Sequence, residues 1–231
     1  MTPKTYNMGL VLLPTYQWVD ASGPVDYLNS HSQSYLSMLP LPQSIMDRVP
    51  FMHWHCISSD LTPMRGRSGP VQIPTCTYED CPPLDYIVVP GPNPNQSTPA
   101  IFAKFIKERL DDPTLKGILL VETAAIALAR TGNGVLDGKQ VCGNKNTIRR
   151  LAEDGLLKGN KVNWVVDKRW VVDGKIWSAS GVMGGIDLAA ELAKVLLDED
   201  IVKLVKDVTE YDENPAAPDP FATILEGIKL N

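Results

Sequence analysis

Short apolar runs recur along the chain, each closed by proline, glycine or a charged residue. Met8–Leu13, Phe51–Ile57, Asp85–Val89 and Lys116–Val121 read as strands, the buried ones apolar on both faces as in a parallel sheet. Between them the spacing turns helical. Val19–Leu28 contains Gly23-Pro24, placed where proline can open a helix. Ala100–Leu110 carries Ile101, Phe105, Ile106 and Leu110 on one face. Thr123–Arg130 is alanine-rich and stops at Gly132, and Thr147–Leu157 is a further helix. Gly185–Leu197 and Asp200–Val208 are amphipathic, with Glu191/Lys194 and Glu199/Lys203 pairs. Shorter strands are expected within Met64–Thr77, around Gly66, Gly69 and Pro70, and at Lys139–Cys142, Val162–Val166, Trp170–Val172 and Ile176–Ala179. Such alternation predicts an α/β fold with a mainly parallel sheet covered on both faces. Sites in such sheets lie beyond the carboxyl ends of the strands. That directs attention to Pro14–Pro24, Pro90–Pro99 and the turn at Glu122.

Two stretches have no clear period. Residues 30–50, rich in Ser, Pro, Leu and Met, read as a lid-like insertion able to cap a pocket and set substrate choice. The tail from Tyr211 to Phe221 contains three prolines and should lie extended over the surface. Residues 1–100 hold 15 of the 19 prolines and 11 of the 49 charged residues, so the solvated helices belong to the second half. The cluster Lys145, Arg149, Arg150 is read as part of such a solvated face.

Composition narrows the class. A chain of 231 residues suits a single domain that buries roughly 70% of its unfolded surface without a metal or disulfide staple. A net charge of −5 speaks against a nucleic-acid partner. Cys56, Cys76, Cys81 and Cys142 are too few for a disulfide framework and read as reduced thiols, which suggests a cytoplasmic setting. No secretory signal is visible, and the longest apolar stretch, Gly117–Ala129, is broken by Glu122, so no membrane association is expected. His53 and His55 would share one strand face, but no third ligand has suitable spacing, so no metal is expected.

The stretches VDASGPVDYL (Val19–Leu28), YEDCPPLDYIVVPG (Tyr78–Gly91), LVETAAIALARTG (Leu120–Gly132), VLDGKQV (Val135–Val141) and DGKIWSASGVMGGIDLAAELA (Asp173–Ala193) together resemble the ThiJ/PfpI superfamily. The branch they resemble is the isocyanide hydratase-like one. The resemblance implies a flavodoxin-like three-layer sandwich of the class I glutamine amidotransferase type, and commonly a homodimer. It also implies a nucleophile elbow presenting a cysteine, with an acidic partner on the first βα loop. By position, Asp20 matches the acid, Glu122 stands where the cysteine is expected, and Thr123 follows it. The loop that usually reads Pro-Gly-Gly is Pro90-Gly91-Pro92 here, and Pro92 has no N–H to offer an oxyanion. Asn144 falls where a histidine is common, and Met183 where a threonine is. Trp18 and Tyr16, on the Asp20 loop, could line an aromatic pocket.

A carboxyl group is a weak substitute for a thiolate nucleophile but a capable general acid or base. Two carboxyl groups in one pocket cannot both ionise cheaply, so one should stay protonated toward neutral pH. Thr123 could donate its N–H or hydroxyl to a developing oxyanion, or simply satisfy the helix start. The expected function is therefore a cofactor-independent acid–base enzyme, a lyase, isomerase or cyclase acting on a small organic substrate through Glu122 and Asp20. The alternatives are isocyanide hydration with Glu122 as base, and a non-catalytic binding or stress-response protein in which the pair is structural.

Overall fold

The computed structural model describes residues 3–131 and 133–230. The apolar runs fold as β1 (Thr5–Val11), β2 (Phe51–Ser58), β3 (Met64–Arg65), β4 (Val71–Gln72), β5 (Cys76–Thr77), β6 (Tyr86–Val89), β7 (Gly117–Val121), β8 (Gln140–Val141), β9 (Asn163–Trp164), β10 (Trp170–Asp173) and β11 (Ile176–Ala179). The helices are α1 (Trp18–Asn29), α2 (Gln33–Leu36), α3 (Gln43–Met46), α4 (Ala100–Asp111), α5 (Ala124–Arg130), α6 (Lys145–Glu153), α7 (Gly184–Leu196) and α8 (Glu199–Thr209). The predicted stop of α5 at Gly132 lies outside the described residues.

Seven strands form the central sheet in the order β10-β11-β7-β6-β1-β2-β5. Every pairing in it is parallel except β10 with β11. Alternate residues feed two cores. Val11, Ile57, Ile87, Val89, Ile118 and Leu120 pack under α4, α5 and α6. Met8, Leu10, Val88, Leu119, Val121 and Ala179 pack under α1 and α7. This is the expected three-layer α/β sandwich of flavodoxin-like type. It brings the ends of β1, β6, β7 and β11 side by side along one edge.

Several local expectations are corrected. Pro24 lies inside α1 rather than at its start. The helix begins six residues earlier at Trp18 and places Asp20 in its first turn. The 30–50 insertion is not a lid over the carboxyl edge. Its Leu36 and Val49 form a separate small core with Ile201 and Val205 of α8, and Phe51, which follows it, pairs with Thr5 at the start of β1. The insertion therefore covers the opposite, amino edge.

Lys145 is not solvated: it is 4% exposed and bonds Asp219 Oδ2 at 2.5 Å and the Lys168 carbonyl at 3.0 Å. The tail does cross the surface, but buried charges pin it. Asp187 accepts Tyr211 Oη–H and, at 2.9 Å, the Asn214 amide, while Arg169 holds the same carboxylate at 3.0 Å. No described helix is long and apolar enough to cross a membrane.

Candidate active site

The turn from β7 into α5 is a tight elbow at Glu122. Its φ of +61° lies in the left-handed region, which a residue with a side chain enters at a cost. The strain persists because neighbouring loops clamp the residue. Glu122 N–H donates to the Ala179 carbonyl at 3.1 Å, and its own carbonyl accepts the Asn144 N–H at 3.0 Å. The elbow is thus fixed between the ends of β11 and β8, with the Glu122 side chain half-buried.

Asp20 arrives from α1. It is fully buried, and its Oδ2 accepts the Gly91 N–H at 3.1 Å. Its Oδ1 is also buried and has no hydrogen-bond partner. Gly91 joins the two carboxyl groups. A Cβ at this position would stand 2.8 Å from Glu122 Oε2 and 2.4 Å from Thr123 Oγ1. Only glycine lets the Pro90–Pro92 loop pass this close to Glu122 while bonding Asp20.

Both carboxyl groups are displaced toward the protonated form. Burial, and then the charge of Glu122, push Asp20 up to about 8, against the pull of the Gly91 amide and Arg67. Burial likewise pushes Glu122 upward, opposed by Thr123, Arg67 and the Asn144 side chain. A helix N-terminus favours an ionised Asp20, but the loss of water outweighs it.

Arg67 was not foreseen as part of this site. The turn joining β3 to β4 folds over the first βα loop, with Arg67 N–H donating to the Tyr16 carbonyl at 2.8 Å. Gly69 lies against the Trp18 ring, where a Cβ would meet Cγ at 2.6 Å. The element lying over the Asp20 loop is therefore this small hairpin, not the 30–50 segment. The sequence shows only paired glycines flanking Arg67, a turn signal without a stated destination.

The remaining expected residues divide. Thr123 Oγ1 donates to the Pro92 carbonyl at 2.7 Å. Its one hydroxyl proton is thus contested between the Pro92 carbonyl and the Glu122 carboxylate, and is not free for a third acceptor. Asn144 caps α6 by accepting Thr147 N–H at 2.9 Å through Oδ1, which leaves its side-chain nitrogen toward Glu122. Tyr16 is fully buried and its hydroxyl has no partner, so it packs in the core instead of lining an open pocket. Trp18 is half-buried and borders an open groove along α1 with Trp54 and Ile186. Met183 is 58% exposed at the head of α7 and does not wall the described cleft. That cleft, of about 200 Å³, lies on the far side of Asn144 from Glu122 and is lined by Asn144, Lys145, Asn146, Ser180, Gly181, Phe221 and Ile224. Among the described residues no group of three or more His, Cys, Asp or Glu side chains could hold a metal, and His53/His55 remain a pair.

Comparison with known proteins bears on family and fold. The chain is 28% identical to an isonitrile hydratase of Pseudomonas putida over 232 residues, covering 96% of this chain and 89% of that one. In fold it is similar to a ThiJ/PfpI family protein of Pseudomonas syringae, with a TM-score of 0.68, 19% identity, and 92% and 78% of the two chains covered. Drosophila melanogaster DJ-1beta superposes with a TM-score of 0.63 at 15% identity, covering 92% of this chain and all of that one. The sequence profile described as the DJ-1/PfpI family matches residues 11–195, and the chain belongs to that family.

Proposed function

We propose that this protein is a cofactor-independent acid–base enzyme in which Asp20 and Glu122 share one proton near neutral pH. The observation that carries the reading is the state of Asp20. One oxygen is bonded to the Gly91 amide, the other is buried without a partner, and a second carboxylate stands nearby. A proton on Oδ1 would remove the buried unpaired charge and the repulsion with Glu122. Such a pair can give a proton to one substrate atom and take one from another. That suits hydration, dehydration, tautomerisation or ring closure, and hence a lyase, isomerase or cyclase of a small organic molecule. Glu122 replaces the family's thiol in this reading, which removes acyl-enzyme chemistry.

The isonitrile hydratase relative favours a second reading within the same chemistry. In hydration of R–NC the acid protonates the terminal carbon while water adds to it. The base removes a proton from that water, and the formimidic acid R–N=CH–OH so formed tautomerises to the formamide. Proton gain at carbon equals proton loss from water, so the pair ends as it began. The test is turnover of aliphatic and aromatic isonitriles, and of untargeted small metabolites, by the wild type, Glu122→Gln and Asp20→Asn. A drop of about 100-fold or more in both variants is expected. Unchanged turnover would show the pair to be structural.

A further inference from the structure

We propose that the cleft between α6 and the C-terminal tail is the binding site for the substrate body, and that it takes an uncharged molecule with a short apolar moiety and a hydrogen-bond acceptor. The inference deepens the acid–base reading and rests on it only for the identity of the reacting end. At about 200 Å³ the cleft is smaller than the roughly 300–1,000 Å³ of drug-sized sites, so it selects small ligands.

Position is the first argument. The cleft is bounded by Asn144 and Ser180. Asn144 bonds the carbonyl of Glu122, and Ala179, next to Ser180, accepts its N–H. The cleft wall thus includes Asn144, a backbone partner of the elbow, and the neighbour of Ala179, its other partner, so a ligand there is separated from Glu122 by Asn144.

Charge is the second. The Lys145 ammonium in the wall is already satisfied by Asp219 and the Lys168 carbonyl, and Ser180 Oγ–H donates to the same Asp219 oxygen at 3.1 Å. Lysine and aspartate are 3% and 1% exposed and cancel each other. An anion would face a neutralised lysine beside a carboxylate, and a cation would face a bound ammonium. Neither finds an unpaired partner, whereas the exposed Asn146 amide offers donors to a neutral acceptor.

The apolar wall is the third. Phe221 is 57% exposed, yet it is not loose. Its N–H is held by Asp219 Oδ1 at 3.0 Å, Asp219 N–H by the Asp167 carbonyl at 2.8 Å, and Arg149 grips the Ile224 carbonyl at 2.8 Å. A large aromatic side chain left wet at the mouth of a cleft, on a backbone already pinned in place, can cover a ligand without the cost of ordering the tail.

The experiment is titration of the full chain at neutral pH with N-phenylformamide, benzoate and benzylammonium, followed by NMR shifts of the Asn144 and Asn146 side-chain amides and the Phe221 ring. The neutral probe should bind with those shifts, and each charged probe at least tenfold more weakly. Phe221→Ala, exposed and therefore safe for folding, should weaken the neutral probe about tenfold, and Asn146→Ala severalfold. Tighter binding of either charged probe, or no shift at these residues with the neutral one, overturns the proposal. The same titration on Glu122→Gln separates the two claims. Intact binding with lost turnover supports both. Lost turnover without cleft binding overturns the cleft alone, and cleft binding with unchanged turnover overturns the acid–base reading alone.

Discussion

Gly91 N–H donates to Asp20 Oδ2 at 3.1 Å, and the hydrogen on its α-carbon side faces Glu122 Oε2, where a methyl group would stand 2.8 Å away. One glycine therefore stands between two acidic groups, and the chemistry assigned to the site depends on the proton between them.

Stability should carry the mark of that proton. Asp20 holds its proton to about pH 8 in the folded chain and releases it near 3.8 when unfolded. Between those values the folded state binds more protons, so stability falls as pH rises. His31 works oppositely over a lower range. Buried, it is held neutral down to about 4 against its usual 6.5, so its stabilisation is lost as pH drops through that window. From pH 6.5 to 8 the Asp20 slope stands clear of it. Thermal melts should show the wild-type Tm falling across this range and Asp20→Asn nearly flat.

Glu122 pays for its place with a left-handed backbone at φ +61°. Glu122→Gly removes that strain and the repulsion with Asp20. It should raise stability by about 1–2 kcal/mol while turnover disappears. Denaturant titration alongside an activity assay checks both halves. A destabilised glycine variant would mean that contacts of the Glu122 side chain outweigh the strain.

Arg67 lowers the proton affinity of both carboxyl groups from an exposed position. Arg67→Ala should move the acidic limb of the pH–rate profile upward while leaving Tm almost unchanged. The profile, rather than the maximal rate, is the informative readout, because a structural role for Arg67 would not move it.

The buried Lys145–Asp219 pair fixes the tail. Asp219→Asn leaves an ammonium buried without its charge partner and should cost about 3–5 kcal/mol. Lys145→Met combined with Asp219→Leu should cost much less, because neither charge then needs a partner. Urea titration of the two variants measures the difference.

These cases also show what the sequence makes legible. Strands β1, β6 and β7 are readable because burial on both faces leaves unbroken apolar runs, and their carboxyl ends directed attention to Asp20, Gly91 and Glu122. The burial of Lys145 is not legible because helical spacing beside Arg149 and Arg150 looks the same whether a lysine meets water or an aspartate 74 positions later. Arg67 and Phe221 are not legible as site residues for the same reason: a hairpin of two-residue strands and a proline-rich tail have no periodicity to say where they dock. The 30–50 segment lacks a pattern too, and its place at the amino edge comes from Leu36 and Val49 meeting α8, a contact far off in sequence.

The shared proton is tested most directly by following the side-chain carboxyl carbons of Asp20 and Glu122 by carbon-13 NMR across a pH titration, with Asp20→Asn and Glu122→Gln assigning the signals. The account predicts one coupled carboxyl still protonated at pH 7 and titrating near 8, with the partner's titration shifting downward when either residue is neutralised. Two independent carboxyl groups, both fully ionised by pH 6 and unaffected by each other's substitution, would contradict it.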